Sequence, residues 1–410
     1  MKNLRFLFLQ GLPSPFFSLI GNRLSGLGCE VTAINLCVGD QLFWRGPNPV
    51  NYRGTLAKWP VFIGDFLDRN RITDIVLVGE QRSYHKIAIA AAKQRGIRVT
   101  VSDFGYLRPD WITFEKDGMN GCSLFPKDPV EIRQLATGLP PAELAQIYQD
   151  SFWTMAVADM VYHFGNYFFW WLYPGYRRPY RRDHPLLHYL SIGWRILFAG
   201  ANNRSAEQRL AEIKTSGARY FIFPMQLEHD FQIVSYSPFT RLEDAISLVE
   251  NSFAQHAPPH MRLLVKLHPL EPGLKNWRKI VFRKAKELGI EDRVDFIDGG
   301  RLGDIITHSE GMITINSTAG INALMLGRPV KTLGAAIYDV AGLTCQGSID
   351  SFWTMATPPD PKLVEAFINV LAATVQIRGV FYGDSGLQAA VEQAVGRLFN
   401  QTVNCPITHK

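Results

Sequence analysis

Along the first third of the chain, short apolar runs rich in β-branched residues alternate with stretches whose apolar positions recur every three to four residues. Residues 4–9, 31–35, 74–78 and 98–101 predict strands, and 15–27 and 83–95 predict the helices between them. A second series begins near Arg219: strands at 220–224, 262–266, 294–297, 311–315 and 330–332, with helices at 244–256, 277–288, 302–308 and 319–326. Strand and helix in strict alternation build parallel sheets, so the pattern predicts an α/β chain of two Rossmann-like domains. Ligands of such sheets bind at the carboxyl ends of the strands, here expected in a cleft the two domains face. The rhythm divides the chain into an N-terminal domain over 1–139, a connecting segment over 140–214, a C-terminal domain over 215–375 and a closing helical stretch over 376–410 that returns towards the N-terminal domain.

The connecting segment has a different pattern. Helical spacing puts Trp153, Met160, Phe164, Tyr167 and Trp171 on one stripe, followed by Arg177, Arg178, Arg181 and Arg182. Two readings fit: a helix packed between domains, or an aromatic face that lies on an anionic bilayer with arginines at lipid phosphates. The hexapeptide at 151–156 recurs at 351–356 with unrelated flanks, which is not the periodic self-similarity of a repeat protein.

Composition narrows the class. The 410 residues are 47% hydrophobic and 20% charged, which excludes a disordered chain and suffices for two or three cores. A formal charge of +6 is too mild for a nucleic-acid arm, and no nucleic-acid partner is expected. The aromatic share, 12% with nine Trp, is the unusual feature. Five scattered cysteines without metal-ligand spacing suggest reduced thiols in a cytoplasm. The apolar start is broken by Gln10, Gly11, Pro13 and Pro15, too soon for a signal peptide, and no window of about 20 residues is apolar enough to span a bilayer.

The common nucleotide and hydrolase motifs are missing: no P-loop, no G-x-G-x-x-G after the first strand, no H-E-x-x-H and no G-x-S-x-G. Nor is there a D-x-D pair to hold a divalent ion, so no metal and no cofactor are expected. Three polar stretches close predicted strands of the second half. Gln226 to Asp230 gathers carboxylates and an imidazole, suited to a nucleophile or general base, or else merely a solvated loop. Lys266, His268 and Pro269 offer positive charge and a donor for a phosphate, or a strand-end cap. Asn316, Ser317, Thr318, Ala319 and Gly320 open a helix, as an anion site or as an ordinary N-cap.

The ordered motifs resemble the KpsS-type capsule polysaccharide biosynthesis proteins of Gram-negative bacteria. The resemblance runs over most of the chain: Leu9-Gln10-Gly11 with Pro15-Phe16-Phe17, Gly105-Tyr106-Leu107-Arg108-Pro109, Asp230-Phe231-Gln232-Ile233, His268-Pro269, the run from Ile313 to Ile321, Ala336 to Asp339, Gly342-Leu343-Thr344 and Phe381-Tyr382-Gly383.

It implies a GT-B type fold and a retaining β-Kdo transferase that uses CMP-β-Kdo as donor. By the same resemblance Asp230 of the Q-x-x-x-D motif is the nucleophile, and Gln226, Lys266, His268, Pro269 and 316–320 bind the donor. The resemblance makes Asp103 a candidate base for the acceptor, and Phe104 departs from relatives that often carry a second Glu there, which leaves the acid/base residue open. Gln10, Gly11, Tyr106 and Arg108 belong to the acceptor side, with Arg108 left open between acceptor phosphate, Kdo carboxylate and loop support. The implied acceptor is phosphatidylglycerol or lyso-phosphatidylglycerol at the inner face of the inner membrane. Trp170, Trp171 and the four arginines would dock there, and a KpsC-type transferase and the capsule export complex are the implied partners. Two rivals stay open: another CMP-activated ulosonic acid or acceptor, and a non-catalytic assembly or export partner.

Overall fold

The structure, a computed structural model, describes residues 3–178, 184–228 and 231–406. Twelve strands are present among the described residues: β1 (Arg5–Phe8), β2 (Glu30–Asn35), β3 (Pro49–Asn51), β4 (Asp74–Val78), β5 (Arg98–Phe104), β6 (Trp111–Lys116), β7 (Tyr220–Pro224), β8 (Arg262–Lys266), β9 (Val294–Ile297), β10 (Gly311–Thr314), β11 (Val330–Thr332) and β12 (Gln376–Arg378). They fall into two compact units. The first comprises Met1–Phe125, Gly138–Arg181 and Ile368–Lys410, and the second Pro126–Thr137 and Arg182–Phe367. The connecting segment 140–214 is thus shared between them.

The first unit holds a seven-stranded sheet in the order β12-β6-β5-β4-β1-β2-β3. Strands β1 to β5 run parallel, whereas β6 and β12 pair antiparallel at one edge. Every residue of β4 is buried, as expected of a parallel strand covered on both faces. One face carries the helices Phe16–Gly26 and Asp384–Asn400, whose Phe16, Ile20, Val391 and Leu398 pack with Phe6, Phe8 and Phe114 of the sheet. Arg397, buried within the second helix, donates to the carbonyls of Ala373 (3.0 Å), Thr374 and Gln376 (2.9 Å), which satisfies the chain end feeding β12.

The second unit holds five parallel strands in the order β11-β10-β7-β8-β9. Its core is aromatic, with Phe221, Phe223, Phe253, Trp277, Phe352 and Trp353 around Leu263, Val265 and Ile313. Residues 126–137 join this unit through Lys127, whose ammonium donates to the carbonyls of Ala336 (2.6 Å) and Ile337 (3.0 Å), and through an Arg133–Asp360 ion pair at 2.7 Å. Each unit is α/β with a mainly parallel sheet, the Rossmann-like class the alternating pattern predicts.

The repeated hexapeptide is helical in both places but at opposite helix ends, opening the helix Phe152–Phe168 with Ser151 as N-cap and closing the helix Ile349–Met355, and its burial is opposite too. In the helix Ile349–Met355, Phe352 and Trp353 are buried, and the indole N–H donates to Ser252 (2.8 Å). In the helix Phe152–Phe168 the equivalent Phe152 and Trp153 are exposed. The same six residues are helical in both places, while the surroundings fix their position in the helix and their burial.

Glu250 is a local defect in the second core. It is buried in the helix Leu242–His256, and neither carboxylate oxygen has a hydrogen-bond partner. Burial pushes its carboxyl up to about 8, with Lys284 pulling it down and Glu287 adding to the rise. Because the folded value lies above the unfolded one, folding binds a proton between roughly pH 4.5 and 8, so stability is lost as pH rises through that window. Glu250→Gln is expected to stabilise the protein by a margin that grows with pH, about 3 kcal/mol at pH 7. Urea unfolding at pH 5, 6 and 7 checks it; a pH-independent difference would contradict it.

Candidate functional site

In the second unit the three polar stretches close the adjacent strands β10, β7 and β8. Gln226 and Asn316 are buried and lock to each other: the Gln226 amide donates to Asn316 Oδ1 (3.0 Å), and the Asn316 backbone N–H donates to Gln226 Oε1 (3.1 Å). This pair ties the β7 loop to the β10 loop. Asp230 itself lies outside the described residues. Glu228, just before it, is held by Lys275, which also binds Glu243 at 3.0 Å.

At the end of β8, Lys266 is buried; loss of solvent pushes its ammonium down, against the pull of Asp298. His268 is partly exposed, and its Nδ1 accepts the Leu270 backbone N–H (3.1 Å). With Nδ1 as acceptor, a neutral ring carries its proton on Nε2, the tautomer of a donor. Pro269 next to it is exposed.

The Ser317 hydroxyl accepts from the Ala319 N–H (3.2 Å), so it serves the turn into the helix Ala319–Met325, and Thr318 makes no side-chain cap. Gly320 is required sterically: a Cβ there would lie 2.3 Å from the Tyr338 hydroxyl, which donates to the Ser317 carbonyl (2.6 Å).

A cavity of about 840 Å³ in this unit lies elsewhere, beside β9. Three of its four arginines are neutralised, Arg195 by Asp298 (2.8 Å) and Arg209 and Arg262 by Asp295 (2.6 and 2.7 Å), while Arg278 lies over the Phe282 ring, 5.1 Å from its centroid. None of Gln226, Lys266, His268 or Asn316 lines it. The polar groups of the candidate site converge instead at the strand ends, where ligands of parallel sheets bind.

In the first unit the strand ends gather a different set. Gln10 is buried, its amide N–H₂ donating to Asp40 (3.1 Å), Tyr162 (2.8 Å) and Tyr176 (3.2 Å), while its oxygen accepts from Arg82 (3.3 Å). Asp40 also accepts from Tyr162 (2.8 Å) and the Leu36 N–H (2.9 Å); burial pushes its carboxyl up, and these bonds oppose the rise. The cavity lined by Gln10, Gly11, Asp40 and Tyr162 is about 30 Å³, enough for water but not for a lipid headgroup. Gln10 thus organises the strand ends.

Asp103, on β5, is partly exposed and accepts the Phe104 N–H (2.8 Å). Burial raises its carboxyl, while Arg82 and Arg108 pull it down. Arg108 is exposed, with its guanidinium 5.2 Å from the Phe104 ring centroid, so the residue that departs from the family pattern serves as a stacking platform. Tyr106 is buried and accepts the Asn120 N–H (2.8 Å), an internal role.

The sequence reading passed over Glu80. It is buried two residues beyond β4, accepts the Met119 N–H (3.3 Å) on one oxygen and has no partner on the other. Burial pushes it up to about 7, with Asp103 adding to the rise. Its signal was present: a polar residue just after an apolar strand, at the ligand-binding end of the sheet.

The aromatic segment is largely on the surface. In the helix Phe152–Phe168, Tyr162 and Gly165 are buried against the helix Val38–Phe43, where Gly39 is obligatory because a Cβ would lie 2.4 Å from the Tyr162 ring. Of the expected stripe, Trp153 is exposed and Met160, Phe164 and Tyr167 are partly buried. Trp171 leaves the stripe, since the helix ends at Phe168 and a separate turn, Trp170–Leu172, follows. Trp170, Trp171, Arg177 and Arg178 are exposed, whereas Arg181 and Arg182 lie outside the described residues. Among the described residues, no helix is long and apolar enough to cross a membrane.

Residues 73–382 match the family model described as "Capsule polysaccharide biosynthesis protein". The chain belongs to that family. It is similar to the capsule polysaccharide export protein KpsS of Escherichia coli, 30% identical over 380 residues that span 92% of this chain and 97% of that one. The capsule polysaccharide modification protein LipB of Neisseria meningitidis serogroup A is 29% identical over 383 residues, 92% and 91% of the two chains. Among solved structures, Thermosulfurimonas dismutans KpsC, beta Kdo 2,7 transferase, aligns over 97% of this chain and 99% of its own at 14% identity and a TM-score of 0.46. The KpsS-type resemblance of the motifs therefore holds. Within the matched range, the Thr344 hydroxyl donates to Asp339 (2.7 Å), and Gln346 donates to the Thr344 hydroxyl (2.7 Å).

Proposed function

We propose that this family member transfers Kdo from CMP-β-Kdo to the headgroup of phosphatidylglycerol or lyso-phosphatidylglycerol, with retention and without a metal ion. The observation that carries the reading is the mutual lock of Gln226 and Asn316 beside Lys266 and His268, at the ends of three adjacent parallel strands. Such a cluster presents fixed donors and positive charge to a leaving phosphate.

In the first step the Asp230 carboxylate bonds to the anomeric carbon as the carbon–oxygen bond to CMP breaks. CMP departs as a phosphate monoester, its developing charge met by Lys266 and His268. In the second step an acceptor hydroxyl oxygen bonds to the same carbon, the bond to Asp230 breaks, and the hydroxyl proton passes to Asp103. Two inversions give net retention, the logic of retaining glycosidases. The lipid acceptor would be met at the inner face of the inner membrane, through the exposed Trp170, Trp171, Arg177 and Arg178.

The test mixes purified protein, CMP-Kdo and a fluorescent phosphatidylglycerol analogue in EDTA. A Kdo-bearing lipid is expected. Product that appears only when Mg²⁺ is restored would overturn the metal-free route, and no product in either condition would overturn the donor–acceptor assignment.

A further inference from the structure

The helix Pro185–Thr215 has two unlike faces. Its inner face is fixed to the second unit by buried Ala206 and Ile213 and by polar ties: Arg195 and Asn202 to Asp298 (2.8 and 3.0 Å), Arg209 to Asp295 (2.8 Å) and Asn203 to the Gly300 N–H (3.1 Å). The outer face of its first turns is apolar and open: Leu190, Trp194 and Leu197 are 71%, 65% and 77% exposed, and Leu186, Leu187 and Phe198 are exposed beside them. At 3.6 residues per turn these six side chains fall within an arc of about 120°, and they run along roughly 20 Å of helix. Past Phe198 the same arc turns polar, with Arg204, Ser205 and Gln208. The exposed apolar patch is therefore confined to one end of one helix, with a defined edge.

Charge decides what covers it. No Asp or Glu occurs from 184 to 206, and between 176 and 206 there are six arginines, of which Arg195 is paired with Asp298, against a single aspartate. A second copy docked on this face would bring two such basic segments together. An anionic bilayer complements both properties at once, taking apolar side chains below the headgroups and arginines at the phosphates.

We propose that the first four turns of the helix Pro185–Thr215 are a lipid-contact element of their own, lying in the headgroup–acyl boundary of an anionic bilayer through Leu186, Leu190, Trp194 and Leu197. The inference rests on the reading that the protein works on a lipid acceptor, and it adds a second contact, on the second unit, to the Trp170–Arg178 surface of the first.

The test is co-sedimentation with phosphatidylcholine vesicles, with and without phosphatidylglycerol, using the full-length protein. Leu190→Glu/Leu197→Glu is expected to lower partitioning onto the phosphatidylglycerol vesicles at least tenfold, with native mass unchanged. Hydrogen exchange of the wild type should show residues 186–198 protected by those vesicles, which keeps the proposal testable if the double variant folds poorly. Wild-type partitioning by the double variant, or unprotected 186–198, overturns the inference; in that case loss of binding in Trp170→Glu/Trp171→Glu leaves the membrane reading standing. A wild type that binds no vesicle overturns both. A change in native mass instead of partitioning makes the face a contact between copies and overturns the lipid assignment.

Discussion

Asp230→Asn is expected to lower Kdo transfer by at least about a thousandfold while leaving the unfolding transition where it is in the wild type. The amide has the carboxylate's shape but no charge, and it cannot form the ester bond on which the two-step route depends. Groups that act only on the leaving phosphate should cost less, because the nucleophile still works without them. His268→Ala removes one donor of the set around Lys266, an effect of the order of a hundredfold. The comparison reads the roles: kcat falls in both, and only the Asp230 variant loses the glycosyl adduct. An Asp230→Asn enzyme with wild-type turnover would remove the double displacement from the account.

The largest expected effect on stability is at Asp110. Its carboxylate is buried and accepts, on one oxygen, the N–H groups of Ile147 (2.7 Å) and Tyr148 (2.9 Å) and the Arg378 guanidinium (2.9 Å). Arg378 also donates to the carbonyls of Glu143 and Ala145 and lies 4.6 Å from the Trp111 ring centroid. One carboxylate thus joins the start of β6, residues 143–148 and β12. Asp110→Ala leaves a buried guanidinium without its counter-charge and two amides without an acceptor, a loss of about 3–5 kcal/mol. That is a large part of the 5–15 kcal/mol typical of a folded domain. Denaturant unfolding measures it, and a change below about 1 kcal/mol would contradict it. Asp110 follows the Gly105–Pro109 motif, so part of that motif's neighbourhood serves stability.

Apart from the three-residue β3, the parallel strands were legible in the sequence because burial on both faces makes them continuous apolar runs, as in 74–78 and 220–224. β6 and β12 were not. β12 has three residues and becomes a strand by pairing with β6, more than 250 positions earlier in the chain, a long-range contact that leaves no local period. The exchange of residues 126–137 into the second unit was hidden for a similar reason, since it depends on Lys127 meeting two backbone carbonyls. At the candidate site, the motif residues Gln226, Lys266, His268 and Asn316 were legible as polar ends of apolar strands. Their mutual lock, the internal engagement of Gln10 and Tyr106, and the buried carboxyl of Glu80 depend on contacts between separate loops.

Intact-protein mass spectrometry of the enzyme with CMP-Kdo alone tests the central claim most directly. The account predicts that the wild type gains the mass of one Kdo residue, that peptide mapping places it on Asp230, and that Asp230→Asn gains nothing. A wild type that turns over donor and acceptor yet never carries the adduct, or an adduct mapped to another residue, would contradict it.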